Sequence, residues 1–143
     1  MKKNMLIICA LVLLISSCKK GNDNEQCDVT IATVSGTYKL TALKYKATTS
    51  SQEENWYQQV VENCKKDDLY ILSANGDFAI QDAGTVCGQN GDYSGAWTLQ
   101  DNFIDMDGYY FGTVESFDCN TLVFTQTEAL IPGDKLTATF VKQ

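Results

Sequence analysis

Short runs of β-prone residues, separated by turn residues, recur from Gly36 to the end of the chain, and this pattern limits the possible folds more than any other feature. Each run is followed by the next after a short connection, as in sheets that fold back strand by strand. A Greek-key sandwich would need longer crossovers. The sequence therefore predicts an all-β fold, an eight-stranded antiparallel up-and-down β-barrel. Its strands are expected at 36–46, 68–73, 77–82, 96–100, 102–106, 109–117, 121–127 and 135–142.

Local signals refine the expected strands. Asn75-Gly76, between the second and third strands, predicts a hairpin with a two-residue turn, because both central positions of such a turn need positive φ. In the first strand the apolar alternation changes phase between Ala42 and Leu43, which predicts a bulge. Helical spacing within 53–64 predicts a short helix or a long irregular first loop. The mature chain has no longer helical pattern, so a parallel α/β architecture is excluded.

The N-terminal segment has the pattern of an export signal. Lys2 and Lys3 precede an apolar run, 5–15, that is shorter than the roughly 20 residues needed to span a membrane. Ile15-Ser16-Ser17-Cys18 resembles the bacterial lipobox, whose cysteine receives a diacylglycerol and becomes the new N-terminus. An ordinary secretory signal with an incidental cysteine is the alternative. We expect a signal peptide at 1–17, a lipidated Cys18 with a flexible tether at 18–32, and the folded domain at 33–143.

The charge of the chain indicates how it would meet a membrane. The chain has 18 acidic residues and a formal charge of −7, and loss of Lys2 and Lys3 with the signal makes the charge −9. An acidic body is not attracted to an anionic membrane, so membrane contact is expected through the lipid anchor alone. Lys19 follows the cysteine, where an aspartate would indicate retention in the inner membrane. The expected location is therefore the outer membrane of a bacterial envelope, facing the periplasm or the cell surface.

The composition excludes several classes of function. The chain has no histidine, which removes Ser-His-Asp and Cys-His hydrolysis and histidine metal sites. It has no arginine and a net negative charge, and both oppose nucleic-acid binding. Asp67-Asp68 has no spacing that indicates a catalytic carboxylate pair, and the acidic residues near Gly108 do not match a calcium loop. We expect no catalysis, no cofactor and no metal.

Four cysteines remain once the signal segment and Cys18 are set aside, and an even number in an exported chain indicates disulfides. Metal binding is the competing interpretation, but no Cys-x-x-Cys pair is present. Cys64 and Cys87 are equally far from the centre of the Asn75-Gly76 turn, so a two-residue hairpin would place them opposite each other. The sequence predicts the bridges Cys64–Cys87 and Cys27–Cys119.

The strand and turn residues also resemble a known family. Gly36-Thr37-Tyr38 resembles the Gly-x-Trp opening of lipocalins, with tyrosine in place of tryptophan. The segments 64–78, 95–106 and 135–141 look like the lipocalin-like domain of lipoproteins from Bacteroidetes-type bacteria. The resemblance covers about 34–143, implies a barrel that binds a small ligand, and brings no catalytic residues with it.

Aromatic residues are the candidates for binding a small apolar or amphipathic ligand. Rim aromatics, among them the pair Tyr109 and Tyr110, would suit recognition at an open end. An eight-stranded barrel can hold one small ligand or be filled by side chains, and the sequence leaves this choice open. A filled barrel would instead bind a protein or glycan partner through loops 47–63 and 83–92. The oligomeric state is also left open. The predicted ligand-binding residues are Tyr38, Trp56, Tyr57, Trp97, Tyr109 and Phe111.

Overall fold

The computed structural model describes residues 27–88 and 91–143 and shows an all-β chain with one antiparallel sheet of nine strands. The strands are β1 Gly36–Lys46, β2 Glu54–Asn55, β3 Leu69–Leu72, β4 Asp77–Gln81, β5 Tyr93–Gln100, β6 Phe103–Met106, β7 Tyr110–Phe117, β8 Thr121–Thr127 and β9 Lys135–Lys142. The helices are α1 Ile31–Val34, α2 Tyr57–Val60 and a 3₁₀ helix Asn63–Lys65. The expected signal peptide, Cys18 and the tether up to residue 26 lie outside the described residues. Within those residues, no helix has the length and apolar character needed to cross a membrane.

The strands close into a ring. Each strand from β3 to β9 pairs with the next, and β1 pairs with both β3 and β9. Leu40 of β1 lies opposite Phe140 of β9, so the first and last segments of the domain meet as predicted. Buried side chains alternate along the strands and form one apolar cluster, which is why the sheet closes on itself. The largest fully buried members of this cluster are Tyr38, Phe78, Phe117, Phe124 and Phe140.

All eight predicted strands are present, and most of their ends agree within one residue. β5 begins earlier than predicted, at Tyr93, which pairs with Ile80 of β4. Ser94 and Gly95 have low strand propensity, but pairing with a neighbouring strand overrides that preference. The ninth strand, β2, was not predicted. It is a two-residue segment of the first loop that pairs with the end of β1 outside the ring.

The bulge in β1 is confirmed, whereas the predicted two-residue turn is wrong. The register of β1 against β9 shifts between Leu40 and Ala42. In the β3–β4 hairpin, the amide of Ser73 donates to the carbonyl of Asp77 at 2.9 Å, so three residues form the turn. Gly76 has φ of +93°, the left-handed conformation that a three-residue hairpin loop requires at this position.

The cysteine pairs are the two that the sequence predicts. The Cα atoms of Cys27 and Cys119 are 5.3 Å apart and those of Cys64 and Cys87 are 5.4 Å apart, and both sulfur pairs lie at disulfide distance. The predicted pairing of Cys64 with Cys87 is correct, but the hairpin symmetry used to predict it is not. The turn has three residues rather than two, which shifts the register by one residue. The β3–β4 ladder ends at Leu69 and Gln81, and the irregular segments beyond it bring Cys64 to Cys87.

One end of the ring is closed by α1. Val34, the last residue of this helix, is fully buried, and its carbonyl accepts a hydrogen bond of 2.5 Å from the hydroxyl of Tyr38. Lys142 donates to the carbonyl of Thr33 at 2.7 Å, and Cys27 donates to the carbonyl of Phe117 at 2.9 Å. We call this the closed end; it also holds the turns after β3, β5 and β7. The opposite end, here the pocket end, holds the connections 47–68, 82–92, 107–109 and 128–134.

Candidate functional site

A pocket of about 360 Å³ lies at the pocket end of the ring. This volume is at the small end of the range for ligand sites in proteins, so it suits one small molecule. Half of its described lining residues are tyrosines, which come from β3, from the start of β5, and from the turn before β7 and the first residue of β7. They are Tyr70, Tyr93, Tyr109 and Tyr110. Ile80, Gly91, Lys65 and Asp68 complete the described lining.

Strand alternation explains why part of this lining faces inward. In β3, Tyr70 and Leu72 are buried and the residues between and before them are half-buried. In β4, Phe78 and Ile80 alternate with more exposed neighbours in the same way. Tyr70 and Ile80 are the members nearer the pocket end, so they line the pocket, while Leu72 and Phe78 fill the ring beneath it.

Phe140 forms an aromatic floor under one side of the pocket. The ring of Tyr70 meets it edge to face with centroids 5.0 Å apart, and the ring of Tyr110 does so at 5.2 Å. The rings of Tyr70 and Tyr110 also meet each other edge to face at 5.6 Å. Burial raises the pKa of both phenols, which keeps them neutral as walls and possible hydrogen-bond donors.

A second aromatic group also lines the pocket. The rings of Tyr93 and Tyr109 lie 4.5 Å apart, and each is within about 6 Å of Phe78. The hydroxyl of Tyr93 donates to the carboxylate of Asp107. Because this bond joins β5 to the turn after β6, it fixes the position of the Tyr93 ring. Tyr109 is 53% exposed and therefore stands on the rim.

Asp68 is the buried charged residue of the pocket. The residue is 6% exposed, and among the residues that the structure describes its Oδ1 has no hydrogen-bond partner. Burial raises the pKa of this carboxyl, and the negative charges of Asp82 and Asp67 act in the same direction. The backbone N–H of Ala83 and the charge of Lys65 partly oppose the rise. An acceptor left without a donor in a buried position is costly, so it favours a ligand that brings one.

The loop after β4 folds against this acidic group. Oδ2 of Asp67 accepts from the amide of Thr85 at 2.9 Å, and Oδ2 of Asp82 accepts from the amide of Cys87 at 3.1 Å. The Cys64–Cys87 disulfide joins the same loop to the 3₁₀ helix. One oxygen of each of these two carboxylates is therefore used to hold the loop, while the Oδ1 of each, like that of Asp68, has no partner among the described residues. Of the three, Asp68 lines the pocket.

The structure separates the six residues predicted to bind a ligand. Tyr109 lines the pocket, and its neighbour Tyr110, noted as a rim aromatic, lines it as well. Tyr38 is buried at the closed end, where it holds α1. Trp97 is 3% exposed, and its indole N–H donates to the carbonyl of Ser73 at 2.8 Å, also toward the closed end.

The other three predicted residues lie around the ring rather than in the pocket lining. Trp56 is half-buried and stacks on Tyr45 with centroids 4.0 Å apart. Tyr57 is half-buried, and Lys66 lies over its ring. Phe111 is half-buried beside Phe103, which is 45% exposed, with centroids 6.4 Å apart. These aromatic side chains cover the first loop and the flank of the sheet.

Sequence reasoning missed Asp68, Tyr70 and Tyr93 as site residues. Tyr70 could have been found, because it shares the phase of Leu72 in a strand that was predicted correctly. Tyr93 was missed because the predicted strand began at residue 96, whereas β5 begins at Tyr93. Asp68 gave no usable signal, since the groups that approach it after β4, the amide of Ala83 and the carboxylate of Asp82, belong to a loop, and loop packing is not encoded in strand periodicity.

Comparisons of the chain with family models, with curated proteins and with solved structures find no match. The function must therefore be argued from the site itself. Within the described residues, the one group with metal-ligand spacing is Glu62, Cys64 and Cys87, and its two sulfurs form a disulfide. Asp67, Asp68 and Asp82 do not form such a group.

Proposed function

We propose that this chain is a lipoprotein of a bacterial envelope whose lipocalin-like barrel binds a small amphipathic molecule without catalysing a reaction. The observation that carries the proposal is the pocket of about 360 Å³ at the end of the ring opposite α1. An amphipathic molecule fits it because the walls are aromatic and apolar while Asp68 and Lys65 supply charge. Beneath the pocket, the buried side chains of the described residues form one apolar cluster.

The envelope location is proposed from the sequence. The apolar run 5–15 followed by Ile15-Ser16-Ser17-Cys18 supports lipidation at Cys18, and disulfide-distance cysteine pairs fit an oxidising compartment. Labelling with an alkyne fatty acid in a bacterial host tests it. Cys18→Ser should abolish the label, whereas Cys9→Ser, inside the expected signal, should keep it. Label that survives in Cys18→Ser would contradict lipidation at this residue.

The ligand proposal is tested by native mass spectrometry of the full chain released from membranes. We expect a bound small molecule in the natural chain and its loss in Ile80→Trp, because Ile80 lines the pocket and is 8% exposed. Gln81→Trp is the matched control, since Gln81 is exposed on the same strand and should keep the ligand. A chain that carries no small molecule, and takes none up from a mixture of amphipathic compounds, would overturn the proposal.

A second candidate is binding of a protein or glycan partner by the loops of the pocket end. It is favoured by Leu130 and Ile131, which are 63% and 50% exposed on a loop of fixed shape. The carboxylate of Asp134 accepts hydrogen bonds from the amides of Ala129, Leu130 and Ile131, so the loop presents these apolar side chains without needing to order on binding. In this case Leu130→Ser with Ile131→Ser should abolish partner capture, and Ile80→Trp should leave it intact.

A further inference from the structure

The chemistry of the pocket indicates which kind of amphipathic molecule it would take. Asp68 is nine-tenths buried, lines the pocket, and has an Oδ1 with no hydrogen-bond partner among the described residues. A ligand that places an N–H or O–H beside this oxygen would remove the cost of leaving it unpaired. A positively charged donor would do so most strongly, because charge-assisted hydrogen bonds are the stronger ones.

The charge around Asp68 favours a cation. Asp67 and Asp82 lie close enough to raise its pKa, so the local charge is negative. Lys65 is the cation of the described lining, but its ammonium is 3.3 Å from a carboxylate oxygen of Glu62, and half of its side chain is exposed. No salt bridge joins Lys65, or another described residue, to Asp68. An anionic ligand such as a fatty acid would be repelled here.

The aromatic walls of the pocket also favour a cation. The faces of tyrosine rings carry negative potential and attract cations within about 6 Å, more strongly where water is excluded. Tyr70 and Tyr110 meet Phe140 beneath the pocket, while Tyr93 and Tyr109 pack on each other in its lining. The pocket therefore offers an organic cation aromatic walls around its apolar body and a carboxylate for its charged group. A metal ion fits less well, because the three aspartates do not bring their oxygens to ligating distance within the described residues.

We propose that the tyrosine pocket binds a protonated primary or secondary amine on a short apolar body, with an ammonium N–H donating to Oδ1 of Asp68. This inference rests on the proposed function, since it names the class of ligand for the same pocket. It adds the requirement that the ligand carries a positive charge. An experiment can therefore disprove the charge requirement while the proposed function stands.

The experiment compares three probes of nearly equal size: 2-phenylethylamine, 2-phenylethanol and 3-phenylpropanoate. Each is titrated calorimetrically into the full chain in a nonionic detergent at about pH 7 and low salt. We expect the amine to bind at least about tenfold more tightly than the alcohol, and the carboxylate to bind most weakly. Equal affinities for amine and alcohol would overturn the inference and leave the proposed function standing. Failure of all three to bind would overturn the inference, and the mass-spectrometric experiment would then decide the proposed function.

Variants assign the charge preference to Asp68. Asp68→Asn should weaken binding of the amine at least about fivefold more than binding of the alcohol, which brings the two affinities within about twofold of each other. Asp101→Asn is the matched control: Asp101 is exposed in the turn after β5, at the closed end, and the full preference should persist there. A preference that survives in Asp68→Asn would overturn the assignment. If Asp68→Asn does not fold, Asp68→Glu, which keeps the charge, must retain a preference for the amine.

Discussion

Gly112 shows how closely two strands of the ring approach each other. A Cβ atom on this residue would lie 2.5 Å from the carbonyl oxygen of Thr125 and 2.6 Å from its carbonyl carbon. Both are backbone atoms of β8, so they cannot move aside as a flexible side chain could. The approach occurs next to the register shift between Val114 and Ser116, where β7 bends over its neighbour.

We therefore expect Gly112→Ala to lower the free energy of unfolding by about 1–3 kcal/mol, as overpacked core positions do. Urea unfolding measured by circular dichroism tests the value. Thr113→Ala is the control on the adjacent, exposed position, and it should change the free energy by less than about 0.5 kcal/mol. Equal effects of the two substitutions would show that β7 and β8 do not approach as closely as described.

Among the elements, α1 has an importance out of proportion to its four residues. It contributes the fully buried Val34 to the core and is held by Tyr38, by Lys142 and by the disulfide just before it. Thr30 and Thr33 form a reciprocal capping box, which satisfies amides at its first turn. Without these contacts a one-turn helix would not be stable in water.

The two disulfides should differ in their effect on stability. Cys27 and Cys119 are 92 residues apart and Cys64 and Cys87 are 23 apart. The chain-entropy relation gives upper values of about 4.6 and about 3.4 kcal/mol for their removal. We expect double serine substitution of Cys27 and Cys119 to destabilise the chain more, and to increase hydrogen exchange at the amide of Ser35, which bonds to Ile31. Replacement of Cys64 and Cys87 should leave that amide protected, and the reverse order of effects would contradict the role given to α1.

Elements of the fold could be predicted where the signal is local. The strands 121–127 and 135–142 were correct at both ends because alternation and turn residues define them. The hairpin at Asn75 was found with the wrong turn length, since Asn-Gly is compatible with both lengths. β2 could not be predicted, because two exposed residues have no periodicity and pair with β1 through backbone atoms alone. The pocket required knowledge of which strand ends meet, and of the loop after β4 that approaches Asp68.

At the scale of the whole molecule, the ring keeps several tyrosines away from water. Burial raises the pKa of Tyr38, Tyr70 and Tyr110 above the value of about 10 that tyrosine has in an unfolded chain. Below about pH 10 the phenols are protonated in both the folded and the unfolded state, so they do not make the free energy of unfolding depend on pH. Above it the unfolded chain loses protons that the folded chain keeps, and stability falls as the pH rises toward the folded pKa values.

We expect the free energy of unfolding to decrease steeply above about pH 10, with part of the tyrosinate absorbance, that of the buried tyrosines, appearing only together with the loss of structure. Tyr70→Phe should reduce the slope by up to about 1.4 kcal/mol per pH unit, the value for one proton. The measurement is urea unfolding at a series of alkaline pH values, compared with the same series for the natural chain. Identical slopes would mean that Tyr70 ionises equally easily in both states.

The position of Cys27 has a consequence for access to the pocket. The described chain begins beside Phe117 and Cys119, at the base of the ring, and Asp68 and Tyr109 lie at the other extremity. The proposed lipid at Cys18 would then attach on the side of the domain that holds Cys27, which leaves the mouth that holds Asp68 free of the anchor. Solutes could then reach the mouth from the surrounding fluid without passing the anchored side.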